Sequence, residues 1–306
     1  MEIRKLSIGH GVRWFRQAID LGTRNPKAVF GAAFLLLLTL YATALLVMLP
    51  AIGALQGAGT KPAAASPLAM LGWLAPVFLV VLMLMPILFG GLKHVIREAE
   101  AGRPIGATAL YAPFRQGKAR TLAALGLVQL LFGVASALVV AALAGANYWH
   151  EYMAAMQAAM SGLVPVVPQP EHPGLLVLFQ LLFNYFSYAI TLFSVPLILF
   201  SGQPLLQAIK LSAMAAVRNF STNLIAGALF LAGVLVAALI VMLLAGFASL
   251  LGSFVHTQVG ALLAFVVFMG FGVIVIVVLT GGAYFAWRDT FDGQTLIEPP
   301  FAGVEA

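Results

Sequence analysis

Residues 223–248 read NLIAGALFLAGVLVAALIVMLLAGFA, a run of 26 residues with no charged side chain. About 20 apolar residues suffice to cross the hydrocarbon core of a bilayer as a helix. A helix that is apolar on every side belongs in lipid or in the centre of a very large protein. Working outward, five more such runs lie at roughly 28–49, 68–91, 121–145, 174–200 and 257–285. All 16 Lys and Arg residues and all 10 Asp and Glu residues fall outside these runs or at their ends. Energetics select those boundaries, since a charge at a helix centre costs about 2.5–3.5 kcal/mol on insertion. The expected fold is all-α: an integral membrane bundle of six transmembrane helices in one domain, residues 1–306.

Composition agrees. The chain is 62% hydrophobic and 8% charged, against about 45–50% and about 25% in soluble domains. A net charge of +6 invites a nucleic-acid reading, but no soluble basic domain exists to carry one. The absence of cysteine excludes disulfides, thiolate catalysis and cysteine metal sites. The first apolar run, about 22 residues long, follows 27 residues. Signal-peptide cores run about 7–15 residues behind a short basic region, so this run reads as an uncleaved span.

The loops orient the bundle. Arg4, Lys5, Arg13, Arg16, Arg24 and Lys27 precede the first span, and Lys93, Arg97, Arg103, Arg115, Lys118 and Arg120 separate the second from the third. Lys210 and Arg218 precede the fifth, and Arg288 follows the sixth; only Lys61 lies on the other side. The positive-inside rule makes the basic side cytoplasmic, with both termini there.

An internal repeat is also legible. Gly102-Arg103-Pro104-Ile105 follows the second span, Gly202-Gln203-Pro204-Leu205 the fourth and Gly293-Gln294-Thr295-Leu296 the sixth. The Gly suits a helix C-cap and the Pro the first turn of a new helix. Arg24-Asn25 before the first span is echoed by Arg218-Asn219 before the fifth. Gly90-Gly91 with Arg97-Glu98 is echoed by Gly281-Gly282 with Arg288-Asp289. The implied unit is an amphipathic helix followed by a transmembrane hairpin, three times in parallel: about 1–101, 102–201 and 202–293, then a cytoplasmic tail, 287–306. The amphipathic helices are expected at 6–22, 104–119 and 204–219. In the first, Ile8, Val12, Phe15 and Ile19 share a face, while Arg13, Arg16, Arg24 and Lys27 are candidates for anionic lipid headgroups. Packing on the bundle end is the competing reading.

The segment Ala208-Ile209-Lys210-Leu211-Ser212 continuing to Arg218-Asn219-Phe220, with Gly11-Val12-Arg13-Trp14-Phe15 leading to Arg24-Asn25-Pro26, resembles a family of uncharacterised bacterial inner-membrane proteins. The layout is similar to the membrane domain attached to some glycerophosphodiester phosphodiesterases. The resemblance implies a multi-pass protein of the bacterial inner membrane and no activity, since the phosphodiesterase's soluble catalytic domain has no counterpart here.

Within the spans, Gln180, Asn184, Ser187, Tyr188, Thr191 and Ser194 form a polar stripe along one face of the fourth. Such groups in hydrocarbon need partners. The stripe therefore either bonds to neighbouring helices or lines a polar cavity or lipid-headgroup path. Gln129 of the third span is placed to bond across to it. Gly133, Ala137, Ala141 and Gly145 recur every fourth residue of that third span, which favours close helix packing within the bundle. Trp149, Tyr152, Met153, Met156 and Met160 suggest a short interfacial helix in the loop 146–173, and His150-Glu151 with Glu171-His172 are too few for a metal site without a third ligand. No Asp, Glu or His lies inside a span as bounded above, which argues against intramembrane catalysis and proton coupling. No cofactor is implied. The leading expectation is a non-enzymatic scaffold, partner subunit or envelope-maintenance factor that contacts membrane lipid and no nucleic acid. The alternative is a carrier or permease for a neutral or lipid-like molecule.

Overall fold

In lipid an isolated segment can satisfy its backbone donors and acceptors only as a helix, and each apolar run becomes one. The computed structural model describes residues 2–57 and 67–292, and among these it contains only helices, turns and irregular segments. In order these are α1 (Gly9–Arg24), α2 (Pro26–Gly57), α3 (Pro67–Glu100), a 3-10 turn (Ala107–Tyr111) running into α4 (Ala112–Arg115), α5 (Ala119–Ala144), α6 (Tyr148–Met160), α7 (Pro173–Leu199), α8 (Leu205–Arg218), α9 (Phe220–Ser253) and α10 (Thr257–Trp287). Six of them, α2, α3, α5, α7, α9 and α10, are long and apolar enough to cross a membrane. Lys61 and the third Gly motif, 293–296, lie outside the described residues.

Two expectations are corrected. The second span does not stop at Gly91: α3 runs on to Glu100. No residue between Leu92 and Glu100 breaks a helix, so Lys93, His94, Arg97 and Glu98 ride on the spanning helix and not in a loop. The amphipathic helix expected at 104–119 is only the 3-10 turn and the single turn α4. Pro104 and Pro113 each lack a backbone donor, and Gly117 takes a left-handed φ of +67°, so no continuous helix forms. By contrast α1 and α8 form close to their expected places, and Gly102 and Gly202 both adopt the left-handed C-cap conformation read from their motif (φ +69° and +64°).

The second helix of each hairpin sits inside. α3, α7 and α10 touch one another, while α2, α5 and α9 pack around them. Two short segments dock on the hairpin before them, the 107–115 segment on α2 and α3 and α8 on α5 and α7, while α1, first in the chain, docks on the last hairpin, α9 and α10. At this end the interior is tight, with Leu88, Leu92, Ile96, Leu197, Ile198 and Trp287 all buried. Gly91 permits the contact, because a Cβ there would stand 1.6 Å from the Leu110 carbonyl oxygen. Gly126 of α5 similarly lies against the Leu82 carbonyl, which Pro86 one turn later cannot bond. Toward the other end the helices diverge and residues such as Leu131, Leu138 and Leu243 are exposed to the space lipid would fill. The small-residue stripe of α5 belongs to this divergent half. Gly133 and Ala137 are exposed and a Cβ at Gly133 would meet nothing from another helix within 4 Å, so packing within the bundle is carried instead by Leu122, Leu125 and Gly126.

A polar latch closes the basic end. Asp289 accepts hydrogen bonds from Arg13 (2.7 Å) and Trp14 Nε1 (2.9 Å), and Arg288 pairs with Asp289 and Glu100. Asn219, also buried, bonds the backbone of Arg4 and Leu6 and holds the N-terminal segment across the start of α9. The buried face of α1 is therefore Gly11, Trp14, Ala18 and Leu21. Ile8, Val12 and Ile19, on the face read from periodicity, stay exposed.

Candidate functional site

Directly above the tight end, where the inner helices begin to diverge, α3, α5, α7 and α10 enclose a cavity of about 410 Å³. Its walls are Phe78, Leu82, Met85, Pro86 and Phe89 of α3, Leu192 and Val195 of α7, and Ile276 and Leu279 of α10. Its polar groups are few: Lys93, Gln129, Tyr188, Thr191 and Thr280. Phe78 and Tyr188 line it yet are each 59% exposed, so the cavity opens on the flank of the bundle.

The geometry of the floor begins with a proline. Pro196 has no N–H, so the carbonyl of Leu192, four residues earlier, loses its helical donor. Lys93 Nζ supplies the replacement at 2.9 Å. Lys93 is only 3% exposed and lies seven residues before the end of α3, about 10 Å along the axis. Among the described residues no carboxylate pairs with it: Glu98 is taken by Arg103, Glu100 by Arg288 and Asp289 by Arg13 and Arg288. Thr280, 3% exposed, lines the same space, and among the described residues its hydroxyl has no hydrogen-bond partner. An unsatisfied buried polar atom is uncommon enough to require a reason.

The polar stripe of α7 is divided among three environments. Ser194 is buried and bonds Ser212 of α8 at 2.9 Å. Thr191 accepts the amide of Gln129, bonds the Ser187 carbonyl at 3.0 Å and lines the cavity. Tyr188 stands at the mouth, while Asn184 and Gln180 are exposed farther along the helix. The nearby Tyr185 turns the other way and donates to the Ala216 carbonyl at 2.7 Å. Of the headgroup candidates, Arg13 is in the latch, Arg16 and Lys27 are exposed, and the Arg24 side chain lies outside the described residues. Among the described residues no three of His, Cys, Asp or Glu gather as a metal site requires. Lys93 and Thr280 were not singled out as site residues from sequence. The uninterrupted helical sequence from Gly91 to Glu100 is the signal that places Lys93 on the span.

The molecule is thus a helical bundle with six helices of membrane-spanning length and a lateral, mostly apolar cavity with the buried Lys93 at its floor. Comparison with protein-family models, curated proteins and solved structures gives no match.

Proposed function

We propose that this chain is a multi-pass protein of the bacterial inner membrane that takes a lipid-like molecule from the bilayer into its lateral cavity, as a binding protein or carrier. The observation that carries the reading is the 410 Å³ cavity, mostly apolar in its walls, open on the flank, with few polar groups and the buried Lys93 and Thr280 among them. That arrangement matches an amphiphile entering sideways, head first. It offers no continuous polar path for a small hydrophilic solute. Ligand sites of about 300–1,000 Å³ with apolar walls and a few convergent polar groups are the usual form of small-molecule pockets.

Both termini and the latch lie in the cytoplasm in this reading, supported by the confinement of 15 of 16 basic residues to one side. The threefold repeat is supported by the docking order, in which the 107–115 segment and α8 each pack on the preceding hairpin and α1 closes the circle on α9 and α10. Exposed Arg16 and Lys27 beside exposed Ile8, Val12 and Ile19 suit anionic headgroups. A partner-subunit role is supported separately by α8, whose Leu206 and Val217 are 81% and 64% exposed beside Lys210.

Native mass spectrometry of the full chain from its own membranes tests the main reading. One retained lipid-like species is expected, and it should be lost in Val81→Trp, which fills the cavity from α3. Retention of the same species by Val81→Trp would remove the cavity as the binding site.

A further inference from the structure

We infer that the ligand is a single-chain amphiphile with an anionic head, a carboxylate or a phosphate monoester, for which Lys93 is the counter-ion and Thr280 a second donor. The inference rests on the proposed binding role and specifies its ligand. Lipid tails are as apolar as the cavity walls, so a chain moving from bilayer to cavity gains almost no hydrophobic free energy. Affinity and selection must therefore come from the floor.

The floor is rich in donors. An ammonium has three N–H groups, and the recorded partner of Lys93 is one carbonyl. Thr280 has a spare hydroxyl, and a helical threonine has two χ1 rotamers within reach. The Tyr188 hydroxyl stands at the mouth. A buried cation without a counter-charge is costly, and the acidic residues nearest in sequence and structure are already paired with arginines. What the site lacks is an acceptor carrying negative charge. Size sets the rest: at about 30 Å³ per water-sized group, 410 Å³ holds about 14 such groups. A head and the first part of one chain fill that space, with the rest of the tail leaving through the mouth.

The test uses the full chain in lipid nanodiscs and three diazirine probes of equal chain length: a fatty acid, its monoalkyl phosphate and the fatty alcohol. Labelling is mapped by peptide mass spectrometry to the cavity helices. Wild type should label with at least one anionic probe about tenfold more strongly than with the alcohol, the scale of one charge-assisted bond. Whichever anion leads identifies the head. Lys93→Met should bring the ratio of anionic to alcohol labelling down to about one, and alcohol labelling that still maps to the cavity helices reports that the cavity is present. Thr280→Val, nearly isosteric, should lower the anion preference severalfold. Equal labelling by both anionic probes and the alcohol in wild type, or an undiminished preference in both variants, overturns the anionic head and leaves the binding role standing. Absence of cavity labelling by all three probes overturns the binding role itself.

Discussion

Replacing Asp289 by alanine should undock α1, by an amount that follows from what this carboxylate touches. Trp14 is 1% exposed, so when its acceptor is removed the indole N–H finds no water. An orphaned buried donor costs about 1–3 kcal/mol. The Arg288 side chain is 14% exposed and keeps Glu100, so its lost contact adds about 1 kcal/mol. The Arg13 side chain is half exposed, and its ion pair is worth at most about 1 kcal/mol. The sum, about 3 kcal/mol, corresponds to roughly 100-fold faster amide exchange in α1 if exchange proceeds through local undocking. Arg13→Ala removes only the exposed partner and should accelerate exchange no more than about fivefold. Hydrogen–deuterium exchange on the purified chain, read peptide by peptide, separates these outcomes. Unchanged α1 exchange in Asp289→Ala, or an equal effect from Arg13→Ala, would refute the assignment of docking to the buried indole–carboxylate bond.

Pro196→Ala restores a backbone donor for the Leu192 carbonyl. Lys93→Met should therefore be about 1–2 kcal/mol less damaging in that background than in wild type, and additive effects on thermal stability would contradict the Lys93–Leu192 pairing. Gly91→Val should abolish recovery of monodisperse protein, because its Cβ meets the Leu110 carbonyl, whereas Gly133→Val should stay within about 0.5 kcal/mol of wild type. Equal yields of the two variants would count against the packing of the 107–115 segment on α3. Topology reporters should place residues 92–120 and both chain ends in the cytoplasm and 146–173 outside; opposite locations for the two ends would undo the orientation.

The six long helices were legible because charge-free runs of this length have no other stable state in lipid, and α8 was legible from the Gly202–Pro204 signal. The middle segment was expected to be a helix only from the repeat, and there Pro104, Pro113 and Gly117 break the chain into short turns. Ending the second span at Gly91 placed Lys93 in a loop. Hydropathy marks where charge begins, but the helix continues until its backbone is broken. The polar stripe of α7 was real as a face, yet a face does not name its neighbours. The helix meets α8 at Ser194, α5 at Thr191 and open space at Asn184, because the bundle diverges along its length. Thr280 stood out only when its missing hydrogen bond and the cavity beside it were seen together.

The most direct measurement is a high-resolution density map of the chain in nanodiscs made from its own membrane lipids. A rod of density entering between α3, α5, α7 and α10 from the bilayer, its head end within hydrogen-bonding distance of Lys93 Nζ, is the predicted result. A cavity closed by its own side chains, or filled only by water, would contradict the account.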